Sequence, residues 1–354
     1  MPLIDSGEST KDVHLTNLFN TNFSSFSNGQ ILDNSGCSWM IWSLLELERW
    51  WSLFESNVGV PFGRKLFNSC ADEEEFQLRD NQIIKTGWFK NSKNRRNLKS
   101  RWELLGWGEI DIDSKEIRTG LPSGIGPGLA LAAMESYYDL RFKSEWKQKN
   151  QTEIDLQLTQ DVKVLSPAKK HSSLPWSSSQ NNIFESEQKI ELESRNLGWS
   201  IDGEPMTVLP TSLFSRLFFS TLGFETSISR EVLDSWTISG MDERFTNPLI
   251  IASYTTFQLF IESDKHVFIE SIDSWAPLID YYSSTWGWGG ALDIQKTDKL
   301  GGVSIKFPAN ESLPFFIGLM MGIWYRSYGK KPKMSVFFEN NICTLLIESL
   351  LDYA

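Results

Sequence analysis

Histidine and cysteine are scarce in this chain: three of each among 354 residues. Cys37, Cys70 and Cys343 stand far apart with no CxxC pair, so neither a disulfide framework nor a zinc ribbon is expected. His14, His171 and His266 have no metal-ligand spacing, and His171 falls in a Ser/Pro-rich stretch. A GxSxG nucleophile elbow and a Walker A loop are both missing. SGIGPG, residues 123–128, imitates a dinucleotide loop only superficially, because Pro127 breaks the pattern. The longest apolar run, Leu313 to Tyr325, is short for a bilayer and contains Pro314, so no membrane span is expected. The opening MPLIDSGESTKD has no basic stretch leading into an apolar one, which predicts no secretory leader. These absences predict a cytoplasmic protein with buried thiols, no metal, no cofactor and no catalytic motif.

Positive charge is also in deficit. The formal net charge is −11, and a field of that sign repels phosphate, so nucleic acid and anionic membrane are poor general partners. One segment runs against it. Lys85, Lys90, Lys93, Arg95, Arg96, Lys99 and Arg101 occur with Trp88 and Phe89 and without an acid. Lys93, Arg95, Arg96, Lys99 and Arg101 are candidate contacts for an anion or an acidic partner. The plainer alternative is a solvated loop that balances the acidic cluster Asp72–Glu75. The acid pairs Glu46/Glu48, Asp111/Asp113, Glu185/Glu187 and Glu191/Glu193 read as solvated faces, since a general acid needs a desolvated setting.

Tryptophan is plentiful, with 15 residues, and aromatics make up 13% of the chain. Large aromatics chiefly fill cores. Tyr137, Tyr138, Trp324 and Tyr325 are candidates to line a pocket for a small apolar ligand, with core packing as the alternative.

Periodicity predicts the elements. Residues 1–12 read as a frayed tail. CSWMIWSLLELERWWSLFESN places Met40, Leu44, Leu47, Trp51 and Phe54 at helical spacing. A second helix is expected from Pro61 through FGRKLFNSC. Ile110 and Ile112 alternate with acids as in a strand, and PSGIGPG reads as a loop. GLALAAMESYYDLRFKSEW predicts a helix carrying Leu131, Met134, Tyr138 and Phe142 on one face. TEIDLQLTQDVKVL predicts a hairpin or two short strands, using Ile154, Leu156 and Leu158, then Val162 and Val164. SPAKKHSSLPWSSSQNN, residues 166–182, reads as a linker or long loop. TSLFSRLFFSTLGF predicts a helix with Thr211 as N-cap, and NPLIIASYTTFQLFIESD another. GALDIQKTDKLGGVSIKF reads as two strands about a turn, SLPFFIGLMMGIWYRSYG as a helix ending near Gly329, and MSVFFENNICTLLIES as a hairpin turning at Asn340-Asn341.

Two stretches open the same way: GWGEIDID at 106–113 and GWGGALDI at 287–294. Each is preceded by helices and followed by a hairpin, a helix opening with Gly-Leu (Gly128-Leu129, Gly318-Leu319), and a closing hairpin. Chance repetition of a triplet would not bring its flanking elements along. The expectation is therefore an α/β (α+β) protein of two similar repeats: a first repeat at 1–165, a linker at 166–196 and a second repeat at 197–354. Each GWG would admit close backbone approach at glycine and plug the core with tryptophan.

The second half, from TWGWGG through KFPANESLPFFIGLMMGIWYRSYG to SVFFENNICTLLIES, resembles the 4-vinyl reductase domain family in pattern. The likeness covers about 70 residues well and the first half faintly. It implies an α/β fold, binding of a small hydrophobic ligand, and dimerisation. Of the cysteines that family often carries in its closing hairpin, only Cys343 stands here, and no functional residue is carried over. The resulting expectation is a non-enzymatic protein that binds a small apolar ligand or a protein partner, with self-association as one form. The alternatives are an enzyme with a site at the repeat interface, for which His266 is a candidate, and an interaction scaffold acting through residues 85–101.

Overall fold

The computed structural model describes residues 10–87, 90–162, 166–177, 184–186 and 188–350. Trp88, Phe89, Val164 and Glu187 lie outside them, as do residues 1–9 of the expected tail. The chain is a mixed α/β structure, with three sheets among the described residues.

The first half runs β1 (Thr10–Lys11), α1 (Val13–Asn22), β2 (Phe23–Ser25), β3 (Ile31–Asp33), β4 (Ser38–Ser43), α2 (Leu44–Val58), α3 (Gly63–Asp80) and α4 (Lys90–Leu104). After the first GWG come β5 (Glu109–Asp111), β6 (Glu116–Arg118), α5 (Ile125–Tyr138), β7 (Phe142–Gln148) and β8 (Glu153–Gln160). The second half runs β9 (Glu193–Ser194), β10 (Trp199–Ile201), β11 (Glu204–Pro210), α6 (Thr211–Phe219), α7 (Arg230–Asp234), β12 (Trp236–Ser239), α8 (Thr246–Glu262) and α9 (Trp275–Tyr282). After the second GWG follow β13 (Asp293–Lys296), β14 (Val303–Pro308), α10 (Leu313–Tyr328), β15 (Pro332–Glu339) and β16 (Ile342–Ser349).

The central sheet has the order β1-β9-β10-β11-β4-β3-β2. Its middle pair, β4 and β11, is antiparallel and joins the two halves, with Val208 opposite Ile41. One outer sheet runs β5-β6-β8-β7; the other runs β13-β14-β16-β15, with β12 added in parallel at the β15 edge. α5 packs on α3 and α10 on α8. Glycine permits both contacts. A Cβ on Gly128 would lie 2.4 Å from the Phe67 carbonyl oxygen, and one on Gly318 would lie 2.1 Å from that of Ser253.

Several expected elements are present as drawn. α10 starts with Pro314 in its first turn and ends at Gly329, whose φ of +64° suits a left-handed cap. β15 and β16 turn through Asn340 and Asn341, both at positive φ, which asparagine tolerates better than most residues. Others differ. Residues 38–43 are a strand, not the first turns of a helix. SWMIWS is apolar on both sides because it lies mid-sheet, and a short continuous apolar run carries no period that separates strand from helix. The α5 helix stops at Tyr138, where Asp139 caps it at φ +56°. Phe142 therefore begins β7, and β8 pairs with β7 rather than folding on itself. The PSGIGPG loop is shorter than expected: Ile125 to Gly128 form the first turn of α5. Thr211 is the first helical residue of α6 and does not cap it; the cap position is Pro210. The basic segment is helical from Lys90, where a loop was the plainer expectation.

The expected linker is anchored as well. Leu174 and Trp176 are fully buried, and Glu193 and Ser194 pair into the central sheet. Serine and proline hid this because two buried apolar side chains suffice to tie down a segment without any periodicity.

Candidate functional site

Both GWG triplets reach across the centre of the molecule. Trp107 Nε1–H donates to the Val208 carbonyl at 3.0 Å, and Trp288 Nε1–H donates to the Ile41 carbonyl at 3.1 Å. Val208 and Ile41 are register partners, so each tryptophan satisfies one side of the same strand pair. The first glycine of each triplet has positive φ, +68° and +79°. A Cβ there would lie 2.8 Å from the Met206 carbonyl oxygen in one case and 2.4 Å from that of Trp39 in the other. Glycine is required by both conformation and space.

Beside the second triplet a cleft of about 740 Å³ opens between the central sheet and α8 and α9. Ile41, Met206, Phe260 and Trp288 line it with apolar surface, and Tyr281, Tyr282 and Trp286 add aromatic faces. α9 places its tyrosines in sequence, and their rings meet edge to face at 4.8 Å. Tyr282 also meets Phe260 edge to face at 5.4 Å and donates its hydroxyl to the His266 carbonyl at 2.8 Å. Burial raises the Tyr282 phenol above its ordinary range, so this hydroxyl acts as a donor at neutral pH. Around the cleft stand Glu46, Asp202, Glu204 and Asp264, with Lys265 the one lysine or arginine among the described residues that line it. Lys265 Nζ lies 2.5 Å from Glu46 Oε1 and 5.8 Å from the ring centres of both Phe260 and Tyr282. Glu46 is thus not the solvated acid its alternation suggested.

A second, smaller groove of about 470 Å³ lies between β3, β4, α3 and the 170–177 segment. His171 Nε2 lies 2.5 Å from Glu311 Oε1, and Thr211 Oγ1 donates to Glu311 Oε2 at 2.6 Å. Burial pushes the Glu311 carboxyl up, but the hydrogen bonds from His171 and Thr211 and the His171 charge outweigh it and hold the group below the usual carboxylate range. Among the described residues, His171 Nδ1, Ser38 Oγ and Ser177 Oγ are buried without partners, and all three residues line this groove. Nearby, Glu73 accepts from Ser212 Oγ and Arg216 Nε, both at 2.6 Å. A third groove, lined by Arg64, Glu75 and Arg141, is as large as the cleft. Its Arg141 is already committed to Glu75 and Glu135 at 2.5 and 2.6 Å.

The expected site residues are dispersed. Arg95 bonds Asp113 Oδ1 at 2.7 Å and reaches the Tyr137 hydroxyl at 3.3 Å, so one candidate anion contact and one candidate pocket residue meet. Arg101 makes two 2.8 Å bonds to Glu74, which belongs to the Asp72–Glu75 cluster. Lys99 lies 3.8 Å from Glu103, while Lys93 and Arg96 are exposed. Tyr138 donates to the Ile112 carbonyl at 3.0 Å. Trp324 is fully buried and donates to the Gly301 carbonyl at 2.7 Å, and Tyr325 stacks edge to face on Phe257. None of these four aromatics lines the cleft or either groove.

Sequence reasoning missed the cleft's aromatics. DYYSSTWGWGG carried the signal: four aromatics beside a glycine pair. His171 was missed because its partner, Glu311, is remote in sequence. Cys70 and Cys343 are buried, and burial pushes both thiols up. Among the described residues, no group of three or more His, Cys, Asp or Glu is placed to hold a metal ion, and no helix is long and apolar enough to cross a membrane. No protein-family model, curated protein or solved structure matches this chain.

Proposed function

We propose that the chain is a tandem pair of one α/β repeat acting as a non-enzymatic binding protein, and that the cleft beside the second GWG receives a protein partner. The single observation that carries the binding reading is the cleft itself: an aromatic-lined opening at the β4–β11 junction, rimmed by carboxylates. Aromatic side chains with one polar end and one apolar face are what partner surfaces engage most strongly.

Matching geometry supports the repeat reading. The strand orders β5-β6-β8-β7 and β13-β14-β16-β15 correspond, and so do the paired tryptophan bonds to Val208 and Ile41. Gly128 packs beside Cys70 and Gly318 beside Thr256. Counting on by one turn brings Glu74 into correspondence with Phe260. Counting back five residues from each GWG sets Arg101 against Tyr282. These two pairs touch in both halves, as an ion pair in the first and as an aromatic pair in the second.

The test is site-specific photo-crosslinking in the source cells. A photoreactive residue replaces Tyr281, which is 67% exposed at the cleft mouth, or Val13, which is 72% exposed on α1. A discrete polypeptide adduct from position 281 and not from 13 is expected. A small-molecule adduct at 281 would shift the reading to an apolar ligand. Identical patterns from both positions, or none, would remove it.

One observation favours a second reading, an enzyme. His171 is held through Nε2 by Glu311, and its Nδ1 is buried without a partner among the described residues, in a groove that Ser38 and Ser177 also line. In its neutral form, an imidazole whose Nε2–H is held by a carboxylate has Nδ1 open to take a proton from a hydroxyl brought to it. Labelling by a fluorophosphonate that His171→Ala abolishes would support that reading; an unlabelled protein would dismiss it.

A further inference from the structure

The cleft carries more information than its aromatic lining. Among the described residues that line it, four carboxylates, Glu46, Asp202, Glu204 and Asp264, stand against one lysine, in a protein of net charge −11. The lysine is itself instructive. Lys265 extends from the irregular segment after α8, pairs with Glu46, and holds its ammonium over Phe260 and Tyr282. An acid and two aromatic rings around one ammonium are the elements of cation recognition. The lysine side chain is 30% exposed, and Glu46 is 23% exposed, so this ion pair sits at the cleft's edge, in reach of a competitor.

The first half supplies an internal precedent. Arg101 lies 5.7 Å from the Trp39 ring centre and 5.3 Å from that of Trp107, with two hydrogen bonds to Glu74. There the cation is part of α4 and is nearly buried. In the second half the position matching Arg101 is Tyr282. The resident cation is gone from the helix, and a loop lysine stands near its place.

Resting on the binding reading above, we infer that the cleft takes an arginine or lysine side chain from a basic segment of the partner protein, which displaces Lys265 from Glu46. The exposed ring of Tyr281, which lines the cleft, covers the incoming side chain's aliphatic stem. Asp202, Glu204 and Asp264 at the rim attract further basic residues and speed encounter more than they add affinity.

The test uses the full chain and a fluorescent hexa-arginine amide, followed by anisotropy, with hexa-citrulline as the uncharged isostere. Binding of the arginine peptide alone is expected, weakening as salt rises. Lys265→Ala removes the competitor and strengthens binding several-fold. Glu46→Gln weakens it about tenfold, while Glu116→Gln on β6 leaves it unchanged. Peptide binding also raises acetylation of Lys265 by an amine-reactive reagent, read by peptide mass spectrometry, because its ammonium is freed. Equal loss from Glu46→Gln and Glu116→Gln would reduce the effect to diffuse attraction and overturn the inference, as would unchanged Lys265 acetylation. If the peptide fails while crosslinking from position 281 succeeds, the cation is wrong and the binding site stands. If both fail, the binding reading fails too.

Discussion

The Trp288 indole N–H and the Ile41 carbonyl meet at 3.1 Å in a buried setting. Trp288→Phe keeps most of the apolar body but leaves that carbonyl without its donor. An unsatisfied buried acceptor costs about 1–3 kcal/mol, so urea unfolding should register a loss of that size, and Trp107→Phe a similar one at Val208. Arg101 and Glu74 present a different balance. Glu74 is 1% exposed, and burial raises its carboxyl before the Arg101 charge and hydrogen bonds lower it part of the way. Arg101→Met strands a buried carboxylate and should cost about 3–5 kcal/mol in the same assay, with the double change Arg101→Met, Glu74→Met recovering much of the loss. Glu311 sets a pH dependence. Its carboxyl is held below the usual range in the folded chain, so its contribution is present above the unfolded value of 4.5 and is lost as pH falls through the lower folded one. The stability gap between the native chain and Glu311→Gln should be level near neutrality and close in acid. A gap that widens in acid would refute this sign.

Among the elements, helix contacts made at glycine are the most exposed to change. Alanine at Gly128 or Gly318 gains roughly 1 kcal/mol of helix propensity. The added Cβ, however, falls 2.4 or 2.1 Å from a backbone oxygen of the facing helix, and overpacking of that kind costs about 1–3 kcal/mol. The clash wins, so both variants should unfold at lower urea. Gly63→Ala, where the nearest heavy atom is 3.9 Å away, should stay within ~0.5 kcal/mol. The same elements mark where sequence was legible. α10 carries its own start and stop, in Pro314 and Gly329, and the β15–β16 hairpin carries Asn340-Asn341. Local chemistry encodes such features. Residues 38–43 carry no such signal, because a strand buried on both faces and a buried helix share one composition. Arg141 and Phe142 looked like further helix because nothing in the letters of Asp139 announces a left-handed cap.

For the whole molecule, the decisive contacts are remote in sequence. β4 meets β11, Lys265 meets Glu46, and His171 meets Glu311. No window of neighbouring residues contains either member's partner, so neither the cleft nor the His171 groove was readable from spacing. The repeated GWG was readable, as was the acidic balance, and the cleft stands where the two come together. The proposed function requires that this cleft be occupied when the protein works. Native mass spectrometry of tagged protein isolated from its source cells, compared with the denatured mass, reads that occupancy. An excess mass that denaturation releases is expected; the double change Tyr281→Ala, Trp286→Ala removes it, while Val13→Ala retains it. A clean mass for the chain alone in all three preparations would contradict that occupancy.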